Sequence, residues 1–257
     1  ASIDEVLIAF LRWSAFGDAA DESPDVCPLR GGVNRRDGLE NVNVSKAYRR
    51  LEAYANWMLA VRDDIMEPPL TADSVRGAWE AFGMKLTMDA CDRGAWWMDL
   101  SNADFDQIRN FDPRETLRMF IWTAHLLLFQ EGSQVNGIVF ADDMSNVSFW
   151  RYMTMLPMQV GIKLQQFMIS CIPLRTKMVT FAHLPIWADV MYNILKVFLT
   201  RGMKRRVNMI GGKEDVSEAL EAVFGEGSIP DGFGGLVGGT KVNDLVSWRF
   251  KAVNEKK

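Results

Sequence analysis

With 257 residues, 48% hydrophobic and 24% charged, the chain has the balance of a globular protein built as one large domain or a small domain joined to a larger one. A net charge of −4 argues against nucleic acid as the main partner, although a local basic patch still acts over about 10 Å whatever the total. Three widely spaced cysteines, Cys27, Cys91 and Cys171, make no disulfide framework and fit a reducing interior; no apolar run nears the roughly 20 residues of a spanning helix and no signal peptide is read, so a soluble intracellular protein is expected.

Asp4 to Trp13 has helical spacing, with Val6, Leu7, Phe10 and Leu11 as its apolar stripe. From Ala15 to Asn43 the pattern dissolves into Gly, Pro, Asp, Asn and Arg, an irregular surface insertion. Periodicity resumes at Val44, with Ser45 as the expected N-cap and Ala47, Leu51, Tyr54, Trp57 and Met58 facing inward. Asp63 to Leu70, with Pro68 and Pro69, reads as a linker, and Thr71 to Phe82 as a helix burying Trp79 and Phe82.

Gly94 to Leu100 is the first predicted strand of the larger domain, followed by a loop over Asn102 to Phe111. Pro113 to Phe129 reads as a helix apolar nearly all round, hence internal. Gly137 to Met144 reads as a second strand ending at Asp142 and Asp143, which alternation sends to opposite faces. Met155 to Cys171 is a predicted helix turning Val160, Leu164, Phe167 and Met168 inward, and Val242 to Phe250 has the spacing of a short amphipathic helix.

The most organised stretch runs from Lys177 to Gly212. A strand over Met178 to Leu184 is cut by Pro185, which suits the first turn of a helix. Trp187, Val190, Met191, Ile194, Leu195 and Phe198 then recur at helical spacing, while Ile186, Tyr192, Val197 and Leu199 make the helix apolar on other sides too. A basic corner (Arg201, Lys204, Arg205, Arg206) leads into a strand from Val207 to Ile210. Strand, helix and strand at this spacing form a βαβ unit with parallel neighbouring strands, so a mostly parallel α/β sheet is expected beyond residue 90.

Catalytic signatures are scarce. Only two histidines occur, His125 and His183, and no Cys-x-x-Cys, His-Glu-x-x-His, Gly-x-Ser-x-Gly or Walker A motif appears. No metal site or cofactor is expected, nor is the chain expected to be an enzyme. Fifteen methionines and nine tryptophans supply an adaptable apolar lining, which points to a cavity for a hydrophobic small molecule.

Four segments carry a resemblance: PLRTKMV (173–179), PIW (185–187), KVFL (196–199) and RVNMIG (206–211). In this order and spacing they resemble the core signature of the CRAL-TRIO lipid-transfer family, and the likeness is closer to its alpha-tocopherol transfer protein and cellular retinaldehyde-binding protein branch than to its phosphatidylinositol-transfer branch. NGIVFADD (136–143), IPDGFGG (229–235), DEVLIAFLR (4–12) and SKAYRRLEAYANW (45–57) extend the likeness over nearly the whole chain. The resemblance implies a helical N-terminal domain over 1–70 carrying the insertion 15–43. A lipid-binding α/β domain over 71–239 follows, with flanking helices enclosing a hydrophobic pocket, and then a tail over 240–257.

It also implies site residues. The pocket lining would include Leu117, Thr123, Ala124, Val147, Ile172, Leu174 and Val179, and strand alternation adds Phe181 and His183. The helix 185–199 resembles the family's mobile gate, closing the pocket with Trp187, Val190, Met191, Ile194 and Leu195. Asp142 stands where the resembled proteins carry an apolar pocket residue. Either it faces the cavity and needs a donor, or the register shifts by one and it lies outside. Arg175, Lys177 and Arg206, with Arg49, match a phosphoinositide-binding patch; a lysine of that patch is Gly202 here, flanked by Arg201 and Lys204. These charges are expected to be exposed and screened by salt. The implied function is a monomeric carrier that takes one tocopherol-, retinoid-, carotenoid- or phospholipid-class ligand between anionic membranes in the cytoplasm, through peripheral contact. A lipid-sensing regulatory module and an unrelated α/β enzyme are the alternatives.

Overall fold

The computed structural model describes residues 3–15, 41–195, 201–211 and 215–233. Most of the insertion 15–43, the segment Lys196–Leu199 and the tail 240–257 lie outside these residues. Helices α1 (Ile3–Ala15) and α2 (Val44–Ala60) pack on each other. The cap of α2 is Asn43 instead of Ser45, because the Asn43 side chain accepts the Lys46 N–H. In α1 the buried residues are Ala9, Phe10 and Ser14 while Leu7 is exposed, since the helix packs against α2 on one side and residues 131–136 on another.

The expected linker 63–70 contains a short helix, α3 (Arg62–Met66). It is held by a buried arginine that periodicity does not flag. Arg118 donates to the carbonyls of Ile65, Pro68 and Pro69 and to Ser74 Oγ. Helix α4 (Ala72–Ala81) starts in a capping box between Thr71 and Ser74 and buries Trp79.

Two strands then form a hairpin. β1 (Met84–Met88), absent from the sequence reading, pairs antiparallel with β2 (Gly94–Asp99). The Asp89 carboxylate closes the turn by accepting from the Cys91 and Arg93 N–H groups and from Arg93 Nε. Within the expected loop 102–111 lies α5 (Phe105–Asn110), capped by Asp104 and too short to show a period. The internal helix α6 (Pro113–Leu128) is buried on nearly every side, as its composition predicts.

Helix α7 (Glu131–Asn136) leads into β3 (Ile138–Asp143) through Gly137, whose φ of 86° requires glycine. A Cβ there would stand 2.5 Å from the Arg175 carbonyl oxygen. The helix expected over 155–171 starts later, as α9 (Met158–Gln166), and ends in a π-helical turn (Phe167–Cys171), while Met155 closes a separate helix, α8 (Phe149–Met155). Pro157 forces Leu156 into extended backbone and breaks the run.

β4 (Thr176–Ala182), α10 (Ile186–Leu195), α11 (Arg201–Arg206) and β5 (Val207–Met209) form the expected βαβ crossover, with β4 and β5 parallel. The basic corner is itself helical. Helix α12 (Val216–Phe224) completes the described fold.

The sheet order is β1-β2-β3-β4-β5, parallel except at β1. Alternation divides it cleanly. Ala95, Trp97, Val139, Ala141, Met178 and Ala182 pack on Leu220, Val223 and Phe224 of α12. Trp96, Met98, Ile138, Phe140 and Phe181 join the larger cluster with α4, α6 and Trp57 of α2. Cys91 stands in a disulfide, which corrects the expectation of a reduced thiol there, whereas Cys171 is free and buried.

Candidate ligand cavity

On the second of these faces the helices stand off from the sheet and leave a cavity of about 550 Å³. Its floor is the sheet: Trp96 and Met98 from β2, Phe140 and Asp142 from β3, Thr176 and Val179 from β4, and Val207 from β5. Thr176 shares a face with Val179, against simple alternation, because the β3–β4 register slips between Ile138 and Val139 and makes Lys177 an extra residue. Phe120 of α6 and Met155 at the end of α8 close part of the wall. Leu164 and Gln165 of α9, with Met168 and Ile169 of the π-helical turn, make the opposite side.

The rim is aromatic and basic. Trp13 of α1, Arg50 of α2, Arg175 and Arg206 border the cavity. The Arg50 guanidinium sits 4.5 Å over the Trp13 ring and donates through Nη2 to the Ile172 carbonyl at 2.7 Å and through Nη1 to the Ile169 carbonyl. It thus satisfies carbonyls at the irregular end of the π-helical turn, and burial pushes its pKa down to about 10.

Of the residues the family likeness implied, Asp142, Leu174 and Val179 line this cavity. Leu117, Ala124, Val147 and Ile172 are packed in the surrounding core, and Thr123 is buried with its hydroxyl donated to the Met119 carbonyl. Phe181 lies on the cavity face of β4, against the same cluster. His183 departs from alternation: β4 ends at Ala182, and a φ of 52° turns its ring to the other side, where Nδ1 lies 2.9 Å from Asp143 Oδ1. Asp143 is fully buried and also accepts from the Ser145 hydroxyl and N–H. The two consecutive carboxylates therefore point to opposite faces, as alternation predicts, and it is Asp142 that faces the cavity.

Helix α10 lies beside the cavity wall. Trp187 packs on Phe149 and Tyr152 of α8 and donates its indole N–H to the Val147 carbonyl at 3.0 Å. Met191 is half-buried, whereas Val190 is exposed and Ile186 is 89% exposed. The side chains of Ile194 and Leu195 lie outside the described residues. Helices α8 and α9 carry further exposed apolar side chains: Trp150, Met153, Met158 and Ile162.

The basic residues divide. Arg49, Arg201 and Lys204 are exposed and Arg206 is half-buried, but Arg175 and Lys177 are buried, correcting the expectation that all were open to solvent. Both sit where β4 enters the sheet beside Gly137, and Arg175 donates to the Val135 carbonyl. No local sequence pattern marks Trp13, Arg50 or the π-helical turn as site elements, whereas alternation alone places Trp96, Met98 and Phe140 on the face of Asp142. Among the described residues no group of three or more His, Cys, Asp or Glu side chains could hold a metal, and no helix is long and apolar enough to cross a membrane.

The family described as the CRAL/TRIO domain matches residues 82–235. Clavesin-1 of Xenopus laevis is 26% identical over 135 residues, covering 52% of this chain and 39% of that protein, so the match spans well under half of the relative's length. The crystal structure of Sfh5 superposes over 83% of this chain and 78% of its own, with a TM-score of 0.46 and 12% identity.

Proposed function

The chain belongs to the CRAL/TRIO domain family of lipid-binding and transfer proteins, and from that premise we propose that it holds one hydrophobic ligand in the cavity and carries it between membranes. The carrying observation is the cavity itself. It is about 550 Å³, within the range of small-molecule sites, and is walled by Trp96, Met98, Phe120, Phe140, Met155, Leu164 and Met168 with few polar groups. The motif likeness adds the finer reading that the chain sits in the tocopherol- and retinaldehyde-binding branch and binds without catalysis.

Exchange requires a surface that can enter a bilayer. Ile186 and Val190 on α10, with Trp150, Met153, Met158 and Ile162, offer apolar groups that water solvates poorly. Exposed Arg49, Arg201 and Lys204 add attraction to anionic headgroups, phosphoinositides included, at roughly 1 kcal/mol each. In this mechanism α10 swings on the membrane and the ligand leaves between apolar walls.

The test is transfer of a fluorescent lipid between donor and acceptor vesicles, after native mass spectrometry identifies co-purifying lipid. A carrier accelerates exchange at substoichiometric amounts. Binding without accelerated exchange would favour a lipid-sensing module, and a chain that neither co-purifies with nor takes up lipid would refute the reading.

A further inference from the structure

The described chain buries four aspartates: Asp89, Asp99, Asp142 and Asp143. Three have donors built in, although Asp143 is served at Oδ1 only and its Oδ2 is buried without a partner. Asp89 accepts from Arg93 and two backbone N–H groups, Asp99 from Ser101 and Asn102, and Asp143 from Ser145. Asp142, 9% exposed, receives no hydrogen bond from any described residue. Its neighbours across the sheet are Met98 and Phe181, which have nothing to donate. Leaving a buried carboxyl unpartnered is costly, and Asp142 lines the cavity, where a ligand group could partner it.

Resting on the carrier reading, we infer that Asp142 is the polar anchor of the cavity and that the ligand is a neutral single-chain or isoprenoid alcohol whose hydroxyl donates to this carboxylate. Size and charge select that class. At about 550 Å³ the cavity has the size of a small-molecule site and takes a single long chain. A carboxylate or phosphate placed beside Asp142 would meet like charge. An ammonium would share the cavity with Arg50, Arg175 and Arg206, which border it. A hydroxyl adds no charge and supplies the missing donor.

The anchor also has a fixed position. Asp142 lies four residues beyond Ile138, the partner of Thr176, so it sits about 13 Å along the strands from the end where Arg175 borders the cavity. An alcohol would enter with its hydroxyl deep and leave its tail toward the basic rim. Burial pushes the Asp142 carboxyl up to about 7, so near neutral pH it is available both to accept and to donate. Tyr152 is near enough for Asp142 to oppose its ionisation, after the larger effect of burial, but the two are not hydrogen-bonded.

The experiment uses the full chain stripped of lipid and three probes of matched length: hexadecan-1-ol, its methyl ether and palmitate. Binding is read by quenching of tryptophan fluorescence, since Trp96 and Trp13 border the cavity. The parent should bind the alcohol at least about tenfold tighter than the ether or palmitate, the gain expected for a hydrogen bond to a charged group. Asp142→Leu should bind alcohol and ether alike, and Tyr152→Phe should keep the preference. Asp142→Asn, matched in shape, guards against a folding defect and should show a reduced preference. Equal binding of alcohol and ether by the parent would overturn the anchor while leaving the carrier intact. A preference for palmitate would overturn it in favour of the arginines, and loss of selectivity in Tyr152→Phe would overturn it in favour of the phenol. Binding of no probe would remove the carrier reading and the anchor together.

Discussion

Arg50 and Ile172 are 122 residues apart in sequence, yet the Arg50 guanidinium donates twice to the Ile172 carbonyl, through Nη2 at 2.7 Å and Nε at 3.2 Å. This contact ties α2 to the end of the π-helical turn, where Met168 and Ile169 line the cavity. An N-terminal helix thus holds one jamb of the entrance.

Replacing Arg50 with Met keeps the apolar stem over Trp13 but removes the donors. The carbonyls of Ile169 and Ile172 then lose charge-assisted bonds of roughly 1.5–3 kcal/mol each, discounted because the side chain is half-exposed. Amide hydrogen exchange should quicken over 167–172, and bound lipid should dissociate several-fold faster. Unchanged exchange in that segment would show that Arg50 merely decorates the rim.

Helix α10 offers a contrast between adjacent residues. Ile186 is exposed, so Ile186→Asp should move folding stability by no more than about 0.5 kcal/mol while weakening attachment to vesicles. Trp187 is held by Phe149, Tyr152 and the Val147 carbonyl, so Trp187→Ala should cost about 2–3 kcal/mol, below the range for a fully buried tryptophan. Urea unfolding and vesicle flotation on both variants separate the two effects. A stability loss in Ile186→Asp would mean its face is covered in solution.

The contrast shows what periodicity can and cannot carry. Repeats at helical spacing located α6 and α10, and the strand, proline, helix, strand order around Pro185 gave the parallel pair β4–β5. Alternation was enough to separate Asp142 from Asp143. It failed for β1, whose Met-Lys-Leu-Thr-Met run is specified by pairing with β2 and by the Asp89 turn. It failed again at His183, where a positive φ ends the alternation. Arg50, Trp13 and Arg118 act through partners far along the chain, and no local pattern encodes such contacts.

Burial also reassigns the basic residues. Arg201→Ala with Lys204→Ala should weaken binding to anionic vesicles by about 1 kcal/mol per charge, and raised salt should mimic the change. Arg175→Ala with Lys177→Ala should act on folding instead, because both side chains are buried where β4 enters the sheet. Vesicle co-sedimentation alongside thermal melting distinguishes them. A normal melting temperature in the second pair would contradict the burial argument.

Asp142 gives stability a pH dependence of unusual sign for an aspartate. Its ordinary value is near 3.8, and burial raises it to about 7 in the folded chain. Below pH 4 the carboxyl is protonated whether the chain is folded or not, and its burial carries no charge penalty. Between pH 4 and 7 the unfolded chain releases the proton while the folded chain keeps it, so stability falls as pH rises. Above pH 7 both states are ionised and the loss is complete, about 4 kcal/mol at 1.36 kcal/mol per unit. Asp142→Asn removes the titration without changing shape. Urea unfolding of ligand-free parent and variant at pH 4.5, 6 and 8 should show the variant's advantage growing through the first interval and flattening near 7. Other carboxylates titrate alike in both proteins and cancel in the difference. A constant difference across the series would mean that the Asp142 carboxyl is solvated or partnered in the empty protein, and that it does not wait for a donor.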